Sequence, residues 1–319
     1  MKIDPRHLEI VSAIVDEGGL TEGAEALGKS QPSISRTLAQ LEARVGMPLF
    51  RPGKRPLQPT ELGLALAEQG RKIRDADAAA SAIVTRYSKG QAGLVNVAGT
   101  PIFMDGVIAA MLAEFQRTTP DVRVDQSYGY ASELISRLGN GTLDFAVCPM
   151  RADKVPDGYE FQPILPGLNV IACRVGHPLA RRRAVTLDDI RTYSWIAPPA
   201  DSPLYRDLRR ALASIGADDF KVSFSGGSLS SVISVLAGSD ALTVLPYAVV
   251  FLQRQSKTLT ELPLRIDHPD RTLGILSRAG EGARPAALRL REFVAMQFHN
   301  LAQRIMQHQQ NVLWRGEER

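Results

Sequence analysis

The chain has 319 residues, a length that predicts two or three domains. Hydrophobic residues make up 44% and charged residues 23%, the balance of an ordinary globular protein, which excludes a disordered or fibrous chain. No stretch approaches the roughly 20 apolar residues that span a bilayer, and the N-terminus lacks the pattern of a signal peptide, so we expect a cytoplasmic protein without membrane contact.

The net charge of +4 is unevenly distributed near the N-terminus. Residues 1–28 carry six acidic side chains and two basic ones, whereas residues 29–60 carry six basic side chains and one acidic one. A basic block beside an acidic one predicts a surface that binds a polyanion such as nucleic acid.

Three short helices are predicted in the first 60 residues. Apolar side chains in residues 8–15 share one helical face, and the pattern stops at Gly18. A second helix is predicted over residues 22–27, with Thr21 as its N-cap, and a third over residues 31–45. Because a tight turn containing Gly28 joins these two, they predict a helix-turn-helix.

A basic, proline-rich segment, MPLFRPGKRPLQPT, follows and predicts a short hairpin or wing. Residues 60–89 then show a long helical pattern in which apolar residues alternate spacings of four and three, as in a coiled-coil seam. This helix would be roughly 40 Å long. We interpret residues 60–90 as a linker helix that pairs two chains; the alternative is an amphipathic helix lying on its own domain.

From residue 91 onward, predicted strands and helices alternate, which favours mainly parallel sheets covered by helices. This part exceeds one typical α/β unit, so we expect two similar lobes. The predicted boundaries are residues 1–59 for the helix-turn-helix, 91–303 for the α/β domain and 304–319 for a loose C-terminal tail. Within the α/β domain, lobe I comprises residues 91–161 and 266–303, and lobe II comprises residues 162–265.

The two cysteines, Cys148 and Cys173, lie in apolar runs and predict buried free thiols; a redox switch is the alternative. The sequence has no phosphate-binding loop, no H-E-x-x-H, no C-x-x-C and no G-x-S-x-G. Its five histidines lack metal-ligand spacing. We therefore expect no enzyme, no cofactor and no metal.

The run TEGAEALGKSQPSISRTLAQLEARVGMPLF, followed by LQPTELG, resembles the winged helix-turn-helix of LysR-type transcriptional regulators. Two positions depart from the family pattern: Gly23 replaces an alanine, and Pro52 replaces a wing arginine. The matching positions are Thr21, Ala24, Leu27, Ser30, Gln31, Pro32, Ser35, Leu41, Glu42, Gly46, Leu49 and Phe50.

The resemblance implies that the helix starting at Gln31 lies in the major groove of promoter DNA. A glutamine amide can hydrogen-bond an adenine edge, and an arginine can pair with guanine or phosphate. Ile34 and Leu38 should instead face the domain core. The predicted DNA contacts are Gln31, Ser33, Ser35 and Arg36 on this helix, and Arg51, Lys54 and Arg55 in the wing.

The resemblance continues more weakly over residues 92–300, where TPDVRVDQSYGYASELISRLGNGTLDFAV, HPLA at 177–180 and LTVLP at 242–246 are in register. It implies a two-lobed effector domain like that of periplasmic binding proteins, with a ligand between the lobes near the carboxyl ends of strands. Hydroxyls at several strand ends suit a small organic acid; the alternative is that they only cap helices. The predicted effector site comprises Thr100, Pro101, Ser127, Tyr128, Ser202, Gly227, Ser228 and Pro246.

Together these features predict a regulator whose binding to promoter DNA, or bending of it, is controlled by a small-molecule effector. The family resemblance implies a homodimer or a homotetramer built as a dimer of dimers, with RNA polymerase as a further candidate partner. Effector identity, target genes and the choice between activation and repression are not encoded in any motif. One alternative is a constitutive DNA-binding protein whose α/β part only oligomerises. Another is an enzyme or solute-binding protein with an unrelated N-terminal extension.

Overall fold

The structure is a computed structural model that describes residues 2–53, 57–200, 202–217, 219–280 and 282–317. The chain forms two compact units, residues 1–86 and residues 87–319. Within the described ranges, no helix combines the length and apolar character that a membrane span requires.

In the part of the chain that the structure describes, four helices form the N-terminal unit. Asp4 caps the first by accepting a hydrogen bond from the backbone N–H of Arg6, and Gly18 ends it in the left-handed conformation. The second helix begins at Leu20, earlier than predicted, with Gly19 rather than Thr21 as its N-cap. Leu20 joins the helix because its side chain packs against the core. The helices are α1 (Pro5–Glu17), α2 (Leu20–Ala26), α3 (Gln31–Val45) and α4 (Glu61–Ser88).

The wing lies between α3 and α4. An antiparallel bridge between Phe50 and Pro59 closes it, and the N–H of Arg51 donates to the carbonyl of Gln58 at 2.8 Å. The hydrophobic core of this unit combines α1, α2, α3, the wing base and the first turns of α4. Its fully buried members include Val11, Ile14, Ile34, Leu41 and Leu49.

Glycines let α4 approach the rest of the unit closely. A Cβ at Gly63 would lie 2.1 Å from the Leu49 carbonyl oxygen, and one at Gly70 would lie 2.0 Å from that of Leu8. Neither distance is possible, so these positions require glycine. Farther along α4 the apolar side chains Ile83 and Val84 are exposed.

The C-terminal unit contains two sheet systems, which form the two lobes. The first sheet has the order β2-β1-β3-β10-β4, and the second lobe has a sheet β8-β5-β9 and a pair β6-β7. A bridge between Trp195 and Leu242 links this pair to the second sheet. The strands are β1 (Gly93–Gly99), β2 (Val122–Tyr128), β3 (Phe145–Met150), β4 (Tyr159–Pro166), β5 (Asn169–Arg174), β6 (Trp195–Ala197), β7 (Val222–Ser225), β8 (Thr243–Pro246), β9 (Leu259–Glu261) and β10 (Thr272–Arg278).

Helices cover these sheets, and their buried apolar side chains pack with those of the strands in the core of each lobe. A π-helical segment, Met104–Ile108, joins the helices Pro101–Phe103 and Ala109–Thr118 into one continuous helix. The helices are α5 (Pro101–Phe103), α6 (Ala109–Thr118), α7 (Ala131–Gly139), α8 (Leu187–Arg191), α9 (Pro203–Ala213), α10 (Leu229–Ala237), α11 (Tyr247–Gln255) and α12 (Pro285–Glu317). Short 3₁₀ turns lie at Ala152–Lys154 and Pro178–Arg181.

The expectation of mainly parallel sheets holds for β1, β2 and β3 and for the β6-β7 pair. It is wrong elsewhere, because β10 runs antiparallel to β3 and β4, and β5 runs antiparallel to β8 and β9. Antiparallel neighbours do not require a helical crossover. Each of these antiparallel pairs joins strands that are not consecutive along the chain, so no local pattern in the sequence predicts it.

Two crossover segments connect the lobes, and they lie side by side. A Cβ at Gly167 in the first would stand 2.2 Å from the carbonyl oxygen of Arg271 in the second. The backbone N–H of Asn169 donates to Nδ1 of His268 at 3.2 Å. Strand β4 stays in the first sheet to Pro166, beyond the boundary predicted at residue 161.

The last helix corrects the predicted tail at residues 304–319, because α12 continues to Glu317. The segment contains no proline after Pro285, and the apolar stripe continues through the buried side chains of Leu301 and Ile305. The ring of Phe251 on α11 lies 5.8 Å from the Arg304 guanidinium and 5.7 Å from the His308 ring. Burial against the lobe core therefore extends the helix past its predicted end.

Candidate DNA interface and effector cleft

Helix α3 has two contrasting faces. Ile34 and Leu38 are buried in the core of the N-terminal unit, as the sequence predicts. Gln31, Ser33 and Arg36 are exposed, while Ser35 is half-buried. The polar face therefore lies at the N-terminal part of α3, where the positive end of the helix dipole favours an anion.

Arg36 folds back along α3. Its Nε–H donates to the carbonyl of Pro32 at 3.3 Å, which directs the side chain toward the N-terminal turn while leaving it exposed. A guanidinium carries five N–H donors, so this contact leaves others for an external acceptor. The geometry places a cation beside Ser33, one turn from the start of the helix.

The wing supplies one described cation. Arg51 is exposed at the base of the hairpin, next to the Phe50–Pro59 bridge. The other two predicted wing contacts, Lys54 and Arg55, lie outside the described residues.

Glu42 is a positioning residue to which sequence reasoning assigned no role. Its Oε1 accepts the backbone N–H of Leu49 at 2.7 Å and that of Phe50 at 3.4 Å. The Glu42 side chain on α3 thereby fixes the position of the backbone at the start of the wing. The available signal was its place in the family motif.

A cleft of about 540 Å³ lies between the two lobes, and the ends of strands from both lobes reach it. Of the eight predicted effector contacts, six line it: Pro101, Tyr128, Ser202, Gly227, Ser228 and Pro246.

Thr100 and Ser127 do not line the cleft, which corrects the prediction. Thr100 is only 3% exposed, and its backbone N–H continues the sheet by donating to Val147. Ser127 lies on the opposite side of β2 from Tyr128, since successive side chains of a strand alternate. Its hydroxyl instead accepts a hydrogen bond from Arg137 at 2.7 Å.

The two cleft serines also cap helices. Ser202 Oγ accepts the N–H of Tyr205 at 3.2 Å, and Ser228 Oγ accepts that of Ser231 at 3.3 Å. Both hydroxyls thus fulfil the capping role that sequence reasoning kept as the alternative, while they still face the cleft.

Sequence reasoning missed three charged residues that line the cleft, Asp105, Asp207 and Arg271. Tyr128 donates to the carboxylate of Asp105 at 2.6 Å, and this bond, together with burial, raises the pKa of Tyr128. Asp207 forms an ion pair with Arg271. The signal for Asp207 was its place on the apolar stripe of α9, between Leu204 and Leu208, where a charged side chain is unusual.

Cys148 and Cys173 are buried and free, as predicted. Burial raises the pKa of each thiol to about 12. Few of these groups are thiolates at neutral pH, and the thiolate is the reactive form. The environment of both side chains therefore disfavours a redox role.

Comparison with known proteins gives matches along most of the chain. A family model described as "LysR substrate binding domain" matches residues 88–298, and one described as "Bacterial regulatory helix-turn-helix protein, lysR family" matches residues 5–64. The "SDS degradation transcriptional activation protein" of Pseudomonas sp. (strain ATCC 19151) is 27% identical over 295 residues, covering 91% of this chain and 95% of that protein.

Two solved structures share the fold. The crystal structure of CbnR, a LysR family transcriptional regulator, aligns with a TM-score of 0.68 at 19% identity, covering 92% of this chain and 100% of that one. Full-length CbnR complexed with its target DNA aligns with a TM-score of 0.63 at 18% identity, covering 93% and 100%. At these identities the likeness concerns the fold: a helix-turn-helix followed by a two-lobed α/β domain.

Proposed function

The chain belongs to the LysR family of bacterial transcriptional regulators, and from that premise we propose that α3 and the wing bind promoter DNA while a small molecule in the interlobe cleft controls the outcome. The observation that carries this proposal is the division of α3 into a buried apolar face and an exposed polar face. A helix-turn-helix places such a face in the major groove.

The proposed DNA contacts have distinct roles. Gln31 and Arg36 read base edges, since both side chains match donor and acceptor patterns in the major groove. Ser33 and Ser35 bond phosphates or bases near the start of α3. The wing cations Arg51, Lys54 and Arg55 bind phosphate beside the groove and thus set the position of the domain.

The proposed assembly pairs two chains through α4, since a long helix with exposed apolar side chains needs a partner. Exposed side chains such as Leu64, Ile83 and Val84 supply that surface. Two paired recognition helices would occupy successive major grooves of an inverted repeat in the cytoplasm, and two pairs would form the tetramer. Light scattering tests this step, and a stable monomer at micromolar concentration contradicts it.

The proposed effector acts through differential affinity for two states of the assembly, which is the only way a ligand can shift such an equilibrium. The cleft supports this role because its volume of about 540 Å³ falls within the range of small-molecule sites, roughly 300–1,000 Å³. The alternative, a constitutive DNA-binding protein whose α/β domain only oligomerises, has no need of such a cleft.

The experiment combines a thermal-shift screen with a DNA-binding assay. Full-length protein is screened against organic acids, amino acids, sugar acids and fatty acids, and each hit is added to a gel-shift assay on the promoter of its own gene. A true effector at about 100 times its Kd stabilises the protein by about 2.7 kcal/mol and changes the mobility or footprint of the complex. DNA binding without any hit across the panel favours the constitutive alternative.

A further inference from the structure

The cleft is lined mainly by apolar side chains, and its described lining includes two carboxylates and one guanidinium. We propose that its effector is an amphiphilic anion: an apolar tail of several carbons with a carboxylate or sulfate head group. We further propose that Arg271 binds the head group in exchange for its bond to Asp207. This inference rests on the proposed role of the cleft as the effector site.

The walls of the cleft fit an apolar tail. Its lining includes Phe103, Leu168, Leu204, Val232 and Leu245. Helix α12 adds two more apolar side chains, Ile305 and Met306, from the segment that the sequence predicts to be a tail. A ligand made only of polar groups would leave these surfaces without favourable contacts, whereas a hydrocarbon tail would bury them.

The charges fit one anionic head group. Among the described residues that line the cleft, the charged side chains are Asp105, Asp207 and Arg271, so Arg271 is the single cation there. Asp105 already accepts the hydroxyl of Tyr128. All three charged groups thus have a partner, but the Arg271 guanidinium carries five N–H donors and bonds Asp207 through Nη2. It can therefore present two parallel N–H donors to a carboxylate or sulfate, which suits bidentate binding of an anion.

Arg271 combines a fixed backbone with an exchangeable side chain. Its carbonyl packs against Gly167, where no Cβ would fit, and its N–H donates to the carbonyl of Pro269 at 2.8 Å. The guanidinium reaches from this crossover to Asp207 on α9 of the second lobe. The side chains of Asp207 and Arg271 are 12% and 27% exposed, so solvent screens their bond weakly.

This placement connects head-group binding to the lobes. In the structure, the ion pair of Asp207 with Arg271 ties the second lobe to the crossover. An anion that takes over the guanidinium releases Asp207 from that tie, so the ligand binds the two lobe arrangements with different affinity. Such a difference is what a regulatory ligand requires.

The first experiment is calorimetric titration of the full-length protein with hexanoate, octanoate and decanoate, all below their micelle-forming concentrations. Affinity should rise roughly fourfold for each added methylene group as the tail is buried. Decyl sulfate should bind within about tenfold of decanoate, while decan-1-ol and decyltrimethylammonium should bind at least tenfold more weakly than decanoate. Equal binding of decanoate and decan-1-ol, or no binding of any of these compounds, would overturn the inference.

The second experiment separates the two members of the pair. Arg271→Gln should weaken decanoate binding roughly tenfold and leave decan-1-ol unchanged. Asp207→Asn should instead strengthen decanoate binding, because it removes the competing carboxylate. If Arg271→Gln fails to fold with Asp207 unpaired, the double variant Asp207→Asn/Arg271→Gln keeps the pair neutral and should bind decanoate no better than decan-1-ol. Arg265→Gln, at an exposed position on the same crossover, is the control and should change nothing.

A third variant distinguishes failure of this inference from failure of the proposed site. Ala302→Trp places a large ring into the cleft from α12 and should abolish decanoate binding. If it does so while Arg271→Gln still prefers decanoate over decan-1-ol, the cleft is the ligand site and only the head-group assignment is wrong. If decanoate binds Ala302→Trp as tightly as the unaltered protein, the proposed site itself is wrong for this ligand.

Discussion

The two candidate binding regions differ in how they are built and in the forces they use. The proposed DNA-binding face comes mainly from one helix of 15 residues, α3, and most of its proposed contacts are exposed to solvent. The cleft is assembled from segments spread between Pro101 and Met306, and the one cation among its described lining residues is already paired. In the proposed mechanism, binding at the first region depends on long-range attraction between exposed charges, whereas binding at the second depends on burial of apolar surface.

The strongest test of this comparison is salt. The three wing cations proposed to bind phosphate would make about six phosphate contacts in two paired chains. For about 6–10 such contacts, DNA affinity drops roughly 10³- to 10⁵-fold between about 50 and 200 mM salt. Decanoate affinity for the cleft should change by less than about tenfold over the same range, because the Arg271 site is screened weakly. Fluorescence anisotropy with operator DNA and calorimetry with decanoate measure the two slopes. Parallel slopes would contradict the distinction between the regions.

The two faces of α3 provide the next test. Ile34→Ala removes a fully buried side chain from the core of the N-terminal unit and should lower its free energy of unfolding by about 2–5 kcal/mol. Ser33→Ala, one residue earlier on the exposed face, should change it by less than about 0.5 kcal/mol. Chemical denaturation followed by circular dichroism measures both. Similar losses in the two variants would show that α3 does not have one buried and one exposed face.

Arg36→Ala should weaken DNA binding while leaving the stability of the N-terminal unit unchanged. The guanidinium is exposed and bonds only weakly to its own helix, so stability should stay within about 0.5 kcal/mol. Operator affinity should fall by about 1–3 kcal/mol, since a contact to a base or phosphate is lost. Gel-shift titration on the promoter of its own gene measures this change. Arg44→Ala, in the last turn of α3, is a matched control. Equal binding by Arg36→Ala and the unaltered protein would remove Arg36 from the interface.

The same contrast explains what the sequence could predict. The residues of α3 are contiguous, so helical spacing and capping residues were sufficient to separate Ile34 and Leu38 from the exposed contacts. The cleft could be located because ligands in α/β folds lie near strand ends, and six of the eight predicted residues do line it. The predictions for Thr100 and Ser127 were wrong because that rule identifies strand ends but not the direction of each side chain.

The remaining differences depend on contacts between distant segments. The ion pair of Asp207 with Arg271 joins a helix to a crossover 64 positions later, and no local pattern encodes it. The extension of α12 depends on burial of Ile305 against the core of its lobe. The antiparallel strands β5 and β10 likewise depend on pairing partners far along the chain.

An ion pair in the N-terminal unit is expected to have the smallest effect, and it concerns the free energy of unfolding. Asp16 on α1 binds Arg71 at 2.8 Å and also binds Arg74, both on α4. Burial alone would raise the pKa of Asp16, but the hydrogen bonds from the two guanidinium groups outweigh it and hold the pKa below 3.8. Because the folded-state pKa is lowered, the stabilisation is present above the unfolded pKa and is lost as the pH falls through the folded value.

Asp16→Asn should therefore lower the free energy of unfolding by about 0.5–1 kcal/mol at pH 7, with the effect reduced because this partly exposed pair is screened by solvent. The difference from the unaltered protein should stay constant between about pH 5 and 8 and shrink as the pH falls below the ordinary aspartate pKa of about 3.9. It should also shrink at 1 M salt, unlike the effect of Arg271→Gln on decanoate binding, because exposed charges are screened and shielded ones much less so. Denaturation curves across pH and salt measure it, with the exposed Asp77→Asn as the control. A difference that does not shrink as the pH falls below about 3.9 would mean that Asp16 stabilises the unit through packing rather than charge.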